Sequence, residues 1–278
     1  MELRSDYPIS VLRTLWMCKR LADEIGEIKF DMLCHQLCQL HSKIATQMAV
    51  DQLVSSGLIT LNGEFIRLSD SAKNFDWVDN LIGKDGSVLV LGFPGSNSMT
   101  FADALERNKL SYVDHDVAWN TLINRSERSL RIISPFMDTG GIELFGKSLI
   151  NALKRGIDAR IIARSFDQYE TNTVKRGFAK LGNMVRDEAE YSKIEFGFFH
   201  DGPITPGISR HLGSVHAKLI VQDAAKAYVG SGEFRLNSAE NNLEIGFLHS
   251  RAVEIQSLIT VFDVFWELCQ KKTWRDLI

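Results

Sequence analysis

Val215-His216-Ala217-Lys218-Leu219-Ile220-Val221-Gln222-Asp223 is followed, after three residues, by Ala227-Tyr228-Val229-Gly230-Ser231-Gly232. The apolar, β-branched content of both stretches predicts two strands, Val215 to Val221 and Ala227 to Val229, joined by a tight turn. A histidine and a lysine two residues apart on a strand project to the same face. An imidazole and a fixed cation can therefore address one phosphate. A Gly-Ser step at the end of the second strand adds a small hydroxyl donor, and Glu244, reached through Asn241-Asn242-Leu243, places a carboxylate just ahead of a third strand, Leu243 to Leu248.

The string H-x-K-x4-D at His216, Lys218 and Asp223, the Gly230-Ser231 step and the later acidic Glu244 resemble the signature of the phospholipase D superfamily. The resemblance implies a mixed α/β fold and phosphodiester chemistry without a metal or other cofactor. His216 would be the nucleophile that forms a covalent phosphohistidine, or the acid partner that protonates the leaving group. Neutral imidazole suits both tasks near neutral pH. Lys218 would donate to the non-bridging oxygens, Ser231 would add a hydroxyl donor, and Glu244 would hold the far nitrogen of the histidine. Asp223 completes the catalytic motif as a mostly structural member. Ser134, in the strand end Ser134-Pro135-Phe136, and Arg164, in a basic region, are further candidate substrate contacts.

One position departs from the family pattern. Where the superfamily commonly carries an asparagine that hydrogen-bonds the phosphate, this chain has Glu233. An ionised carboxylate beside a phosphate is repulsive. Glu233 is then protonated, turned away or paired with Lys218 or an arginine, or the site is impaired.

The motif occurs once. His35, His115, His200, His211 and His249 lack a lysine two residues on, and His41, which has Lys43 there, has Met48 where the motif requires an aspartate. A two-histidine mechanism then needs two chains, and a two-fold axis brings identical motifs together, so a homodimer is expected from the chemistry. Single-motif members of the superfamily that work in this way include bacterial endonucleases, and the arrangement is similar to phospholipase D-like proteins of DNA restriction and phage defence. Double-motif members are typically lipases and lipid synthases. The leading expectation is a DNA nuclease, with DNA favoured over RNA. A lipid-directed phospholipase or transphosphatidylase, and a degenerate fold that only binds DNA or a partner, are the alternatives.

Residues 1–80 follow a separate pattern. Helices are expected around Val11 to Leu21, Phe30 to Leu40 and Ile44 to Val54, the last capped by Ser42 and ended by Gly57. Leu58 to Leu61 and Phe65 to Leu68 around Asn62-Gly63 predict a hairpin. This arrangement resembles a winged-helix domain, followed by the phospholipase D-like domain over residues 81–278. With eight basic and eleven acidic residues in the first 80, the domain lacks the cations that phosphate contacts require. A protein partner or dimerisation fits it better than DNA.

The whole chain of 278 residues carries a net charge of −3. That balance argues against non-specific coating of nucleic acid. Nine basic against three acidic residues between Lys147 and Arg186 form a local concentration that suits either a polyanion track or a solvated helix face. No apolar run reaches the roughly 18 residues of a membrane span, and the start does not read as a signal peptide, so no membrane and a cytoplasmic location are expected. Cys34, His35, Cys38 and His41 tempt a zinc reading, but the interleaved Leu33, Leu37 and Leu40 favour buried helix cysteines. The loop Asp201 to Gly207, with two prolines, lies ahead of His211 and is read as a connector or a groove wall.

Overall fold

A computed structural model describes residues 8–38, 41–75, 77–82, 86–93, 95–164, 171–185, 193–201 and 213–276. The chain forms two compact units, one of residues 1–83 with 93–112, the other of 84–92 with 113–278. The elements run, in chain order, α1 (Ile9–Ile25), β1 (Ile28–Lys29), α2 (Phe30–Leu37), α3 (Lys43–Ser55), β2 (Ile59–Asn62), β3 (Phe65–Leu68), α4 (Asp70–Asn74), α5 (Trp77–Ile82), β4 (Ser87–Leu91), α6 (Ser98–Arg107), β5 (Tyr112–Asp114), α7 (His115–Arg125) and β6 (Ser129–Ile133). They continue α8 (Thr139–Lys154), β7 (Asp158–Arg164), α9 (Thr171–Val185), β8 (Ile194–Asp201), β9 (Gly213–Ser214), β10 (Leu219–Gln222), β11 (Lys226–Gly230), α10 (Leu236–Glu240), β12 (Ile245–His249), α11 (Ala252–Leu268) and β13 (Gln270–Thr273).

In the smaller unit, α1, α2 and α3 precede a hairpin whose strands join β1 in the order β1-β3-β2. Ser42 caps α3 by accepting from the Ala45 N–H, as its residue type predicts. The hairpin pairs Asn62 with Phe65, so its turn residues are Gly63 and Glu64, one position later than the Asn62-Gly63 reading. Gly63 has φ +62°, which suits a Gly-first two-residue loop. α3 buries Thr46, Ala49, Val50 and Leu53 and leaves Ile44 and Met48 on the surface. This helix is apolar on more than one side, which blurs its periodicity.

Arg13, fully buried on α1, lies 3.2 Å from Nε2 of His41 and donates to the Tyr112 hydroxyl at 2.8 Å. A guanidinium against that imidazole nitrogen is incompatible with a metal on it. The cysteines differ from expectation: Cys38 is exposed and Cys34 half-buried. They sit on the outer side of α2, whose buried residues are Leu33 and Leu37.

The larger unit is a helix–sheet–helix sandwich. Its mixed sheet has the order β13-β8-β7-β6-β10-β11-β12-β4, with β6, β7 and β8 parallel and the remaining neighbours antiparallel. The register sorts the side chains into two faces. On one face Ile133, Leu219 and Val229 lie in a row and are covered by Ile255, Ile259, Phe262 and Trp266 of α11. Burying Phe262 alone contributes about 2 to 3 kcal/mol. On the other face Tyr228 meets Trp119 of α7, which packs in turn on Phe145 of α8 and Phe234. The terminal helix is thus core on its inner side. It ends at Leu268, and the chain turns into β13, a strand that residues Gln270-Lys271-Lys272-Thr273 do not advertise because none is strongly β-forming except Thr273.

Candidate active site

Antiparallel pairing assembles the polar residues. β10 begins at Leu219, opposite Val229 near the end of β11, and Gly230 pairs with Gly246 at the start of β12. The residues just outside these strand ends therefore meet: His216 and Lys218 before β10, Ser231 after β11, Glu244 before β12. β6, antiparallel to β10, ends at Ile133 opposite the same Leu219, which adds Ser134 to Phe136 to the neighbourhood. The expected strand Val215 to Val221 begins only at Leu219. His216 and Lys218 stand in an extended lead-in, so their shared surroundings come from the chain's turn into the sheet rather than from strand alternation.

His216 is exposed, while Lys218 is buried at 8 % relative exposure. The lysine ammonium donates to the His216 main-chain carbonyl at 2.9 Å and lies 3.4 Å from Nδ1 of the ring. Ser231 donates to Oε2 of Glu244 at 2.5 Å, and its hydroxyl accepts from the Ile245 N–H at 3.0 Å. Asn242 donates to Oε1 of Glu244 at 3.2 Å. The described bonds of the Glu244 carboxylate thus go to Ser231 and Asn242, not to the imidazole of His216, as had been expected. Glu244 is also buried, and the two bonds offset the cost of burying it.

Two glycines let the Ser231 loop lie this close. A side chain on Gly230 would collide with the Tyr228 hydroxyl and Cα of Gly246, and one on Gly232 would enter the ring of His115. The Gly232 N–H donates to the Tyr228 hydroxyl at 3.1 Å. His115 is itself buried, and neither ring nitrogen has a hydrogen-bond partner among the described residues. Burial holds its pKa down, at about 3.

Glu233 points into the cluster. Its Oε1 lies 3.7 Å from Arg235, while Oε2 is buried without a hydrogen-bond partner among the described residues. Burial raises its pKa and the charge of Glu244 adds to the rise; Lys218, Arg235 and the Phe136 N–H pull it down without cancelling the shift. Arg235 and Arg164 stack on Phe136, 5.4 and 5.3 Å from its ring centroid.

Three further expected residues are placed as follows. Asp223 sits at the far end of β10, about 20 Å of extended chain from His216. Its carboxylate accepts from the backbone N–H groups of Glu127, Arg128 and Ser129, each at 2.8 Å. Burial alone would raise its pKa, but these bonds and the Gln222 side chain outweigh it and the pKa is lowered. This clamp on the backbone ahead of β6 is in keeping with the mostly structural role expected of Asp223. Ser134 is fully buried, accepting from the Phe234 N–H and donating to the Phe136 carbonyl; it shapes the loop and offers no free hydroxyl to a substrate. Arg164 is packed on Phe136 at the sheet end. Of the other basic residues, Arg155 caps the end of α7 through the carbonyls of Ile123, Asn124 and Ser126, Arg160 pairs with Glu195, and Lys180 pairs with Glu143. Arg186, the 202–207 loop and His211 lie outside the described residues. Arg235, His115 and Asn242 escaped the sequence reading; the only signal for Arg235 is that it follows Glu233 by two in the motif loop.

These residues define a mixed α/β protein whose polar centre sits where strand ends converge. A family model described as a cardiolipin synthase, PLD-like domain, matches residues 120–266. The chain belongs to this phospholipase D-like family, whose chemistry is that of phosphodiesters. No curated protein matches the sequence. Among solved structures it is similar to Nuc, a phospholipase D family member from Salmonella typhimurium, with 17 % identity and TM-score 0.44 over 67 % of this chain and 99 % of that one. NucT from Helicobacter pylori matches with 17 % identity and TM-score 0.42 over 55 % and 87 % of the two chains. Phosphatidylserine synthase from Haemophilus influenzae Rd KW20 matches with 12 % identity and TM-score 0.44 over 85 % and 48 %.

Proposed function

We propose that the protein is a metal-independent phosphodiesterase that cleaves DNA through a phosphohistidine on His216. The observation that carries this reading is the exposed His216 ring standing against the buried Lys218 ammonium. In the first step an imidazole nitrogen of His216 attacks phosphorus, an N–P bond forms, and the bond to the leaving oxygen breaks as that oxygen takes a proton. Water then attacks phosphorus, breaks the N–P bond and frees the imidazole. Lys218 neutralises charge on the non-bridging oxygens as it builds.

The proton donor to the leaving oxygen is His216 of a second copy. Leu243, Ile245 and Phe247, 50 %, 51 % and 45 % exposed, flank Glu244 and continue along β12 as an apolar strip beside the site. A second copy seated on this strip would bring its own His216 close. The smaller unit we read as a winged helix that binds a protein partner rather than DNA, because its α3 presents Ile44 and Met48 to solvent and Lys43 is tied to Asp31. The setting this suggests is defence against foreign DNA, in a soluble protein of the cytoplasm.

Cleavage of end-labelled single- and double-stranded DNA in EDTA, with His216→Ala beside the wild type, tests the reading. Cleavage that survives chelation and is abolished by the substitution supports it; cleavage that requires a metal, or persists in His216→Ala, overturns it.

A lipid substrate is favoured by one observation. The outer side of α11 exposes Val253, Val261, Val264 and Leu268, a surface that a bilayer could cover, although none of the described helices is long and apolar enough to cross one. Phospholipid turnover with retention on floated liposomes would replace the DNA reading.

A further inference from the structure

The chain that leaves the motif loop docks onto the start of α8, and this docking shapes a cavity beside the site. Met137, just ahead of α8, forms a parallel bridge with Phe234, and the Asp138 N–H donates to the Phe234 carbonyl at 3.0 Å. Oδ1 of Asp138 accepts from the N–H groups of Gly141 and Leu236 at 2.7 and 3.2 Å. Glycines permit the closeness. A side chain on Gly140 would collide with Leu236, one on Gly141 with the Phe234 carbonyl, and one on Gly177 of α9 with the Met137 carbonyl. Between α8, α9 and the residues that follow the motif loop lies an open cavity of ≈ 390 Å³. It stands past the carboxyl ends of the parallel strands β6 and β7, the side of an open α/β sheet on which ligands bind.

The lining offers donors. Its two carboxylates already have partners: Asp138 holds the two N–H groups and lies 3.6 Å from Arg235, and Glu143 pairs with Lys180. The side-chain oxygen of Asn237 accepts from Asn241 at 3.1 Å, which leaves its amide N–H groups as the ones to offer a ligand. Thr139, Thr173 and the guanidinium of Arg176 complete the lining. A guanidinium among hydroxyl and amide donors matches the oxygens of a phosphate. Thr139, Arg176 and Asn237 are exposed, so a group carried on an extended chain can enter without any part of the protein moving aside. We propose that this cavity is a second phosphate subsite, which takes a neighbouring phosphate of a nucleic-acid strand whose scissile phosphate lies at His216. The inference rests on the phosphodiesterase reading for the reaction and narrows the substrate to a strand with more than one phosphodiester. A phospholipid with a single phosphodiester leaves the cavity empty. The loop that carries Ser231 at the first phosphate continues to Leu236 and Asn237 at the second, so one clamped segment sets the spacing between them. Contacts of this kind fix the register of the strand and carry no sequence preference.

The test uses full chains and labelled oligothymidylates of increasing length. Binding is read by fluorescence anisotropy in EDTA, in a His216→Ala background so that no strand is consumed. The dinucleotide offers one phosphodiester, and each further nucleotide adds another. On this inference affinity steps up about tenfold at the length that first fills the cavity, the worth of one charge-assisted contact, and the step is lost in Arg176→Ala. Thr173→Ala, which removes a hydroxyl and no charge, shrinks the step at the same length. Lys147→Ala removes an exposed cation of α8 outside the cavity and keeps it. The salt dependence of binding to longer strands falls by about one in log–log slope in Arg176→Ala. With His216 intact, kcat/KM for a strand that spans the cavity, divided by that for bis(p-nitrophenyl) phosphate, falls about tenfold in Arg176→Ala. Affinity that climbs without a step overturns the inference, as does a step that survives Arg176→Ala, a step that Lys147→Ala removes equally, or no binding at any length. If no ester is hydrolysed while the step follows Arg176, the phosphodiesterase reading fails and this one stands. If esters are hydrolysed and the step ignores Arg176, the reverse holds. Should circular dichroism find Arg176→Ala unfolded, Arg176→Gln and Thr173→Ala carry the same comparison.

Discussion

The Lys218 ammonium donates to the main-chain carbonyl of His216 at 2.9 Å and faces that residue's Nδ1 at 3.4 Å, so the motif's cation is held by the backbone of the histidine proposed as nucleophile. The lysine is thereby positioned before a substrate arrives, and little side-chain entropy is left to lose on binding. Lys218→Ala is expected to lower kcat on a phosphodiester by about 10² to 10³-fold, the usual loss when one donor to a developing oxyanion is removed. Lys218→Arg is expected to restore little, because a planar guanidinium cannot reach the same carbonyl from a buried stem as a compact ammonium does. Steady-state kinetics on both variants decides it; full activity in Lys218→Arg would show that charge alone is needed.

Asp223 has the opposite role. It adopts φ +54° in the tight turn between β10 and β11 and clamps residues 127–129 ahead of β6 through three backbone N–H bonds. Removing a buried acceptor leaves those donors unsatisfied at about 1 to 3 kcal/mol. Asp223→Ala is therefore expected to lower the unfolding free energy by about 3 kcal/mol while kcat per folded molecule changes little. Its pKa is lowered in the folded state, so its contribution is complete above pH 3.8 and is lost as pH falls through the depressed value. Urea midpoints against pH, wild type minus variant, should shrink only at the acid end.

The strands around the motif were largely legible, because Val215 to Val221, Ala227 to Val229 and Leu243 to Leu248 are short runs rich in apolar residues. The site was legible only as residue types. His216, Lys218, Ser231 and Glu244 stand at converging strand ends, though His216 and Lys218 do so ahead of β10 and not by the strand alternation their spacing suggested, and the described bonds of Glu244 go to Ser231 and Asn242 because a carboxylate's choice between a hydroxyl and an imidazole depends on how β11 and β12 register. Ser134 and Arg164 lay next to a recognisable motif, and proximity in sequence says nothing about whether a hydroxyl is already used by the backbone. The fate of the basic residues was not legible for a similar reason. Arg155 caps α8, Arg160 lies on β7 and Lys180 on α9, and a linear count cannot tell that each meets a partner within the chain.

The raised pKa of Glu233 carries a consequence for stability that is separate from binding. A carboxyl group whose pKa is higher folded than unfolded binds its proton more tightly in the native state, so its contribution is complete below pH 4.5 and is lost as pH rises through the folded value. Glu233→Gln removes that dependence. The variant is expected to match wild type near pH 4 and to become the more stable of the two as pH rises toward 8, by denaturant midpoints across that range. A difference that does not change with pH would show that Glu233 ionises freely in the folded protein.

Gly232 and His115 form a single packing unit beneath the Ser231 loop. The imidazole is confined by Trp119, Tyr228 and Phe145, with ring centroids 4.8, 5.8 and 6.1 Å away, so it cannot swing aside for a methyl group. Gly232→Ala is expected to cost about 1 to 3 kcal/mol, the range for overpacking a filled core, and to displace Ser231 from Glu244, lowering kcat. The burial that keeps His115 neutral adds an acid limit. With its pKa near 3, its contribution is complete above pH 6.5 and falls away as pH drops toward 3. If the collision with His115 is the cause, Gly232→Ala combined with His115→Ala should be more stable than the sum of the two single losses predicts, because each change makes room for the other. Strict additivity in that double-mutant cycle would place the cost of the methyl group elsewhere in the loop.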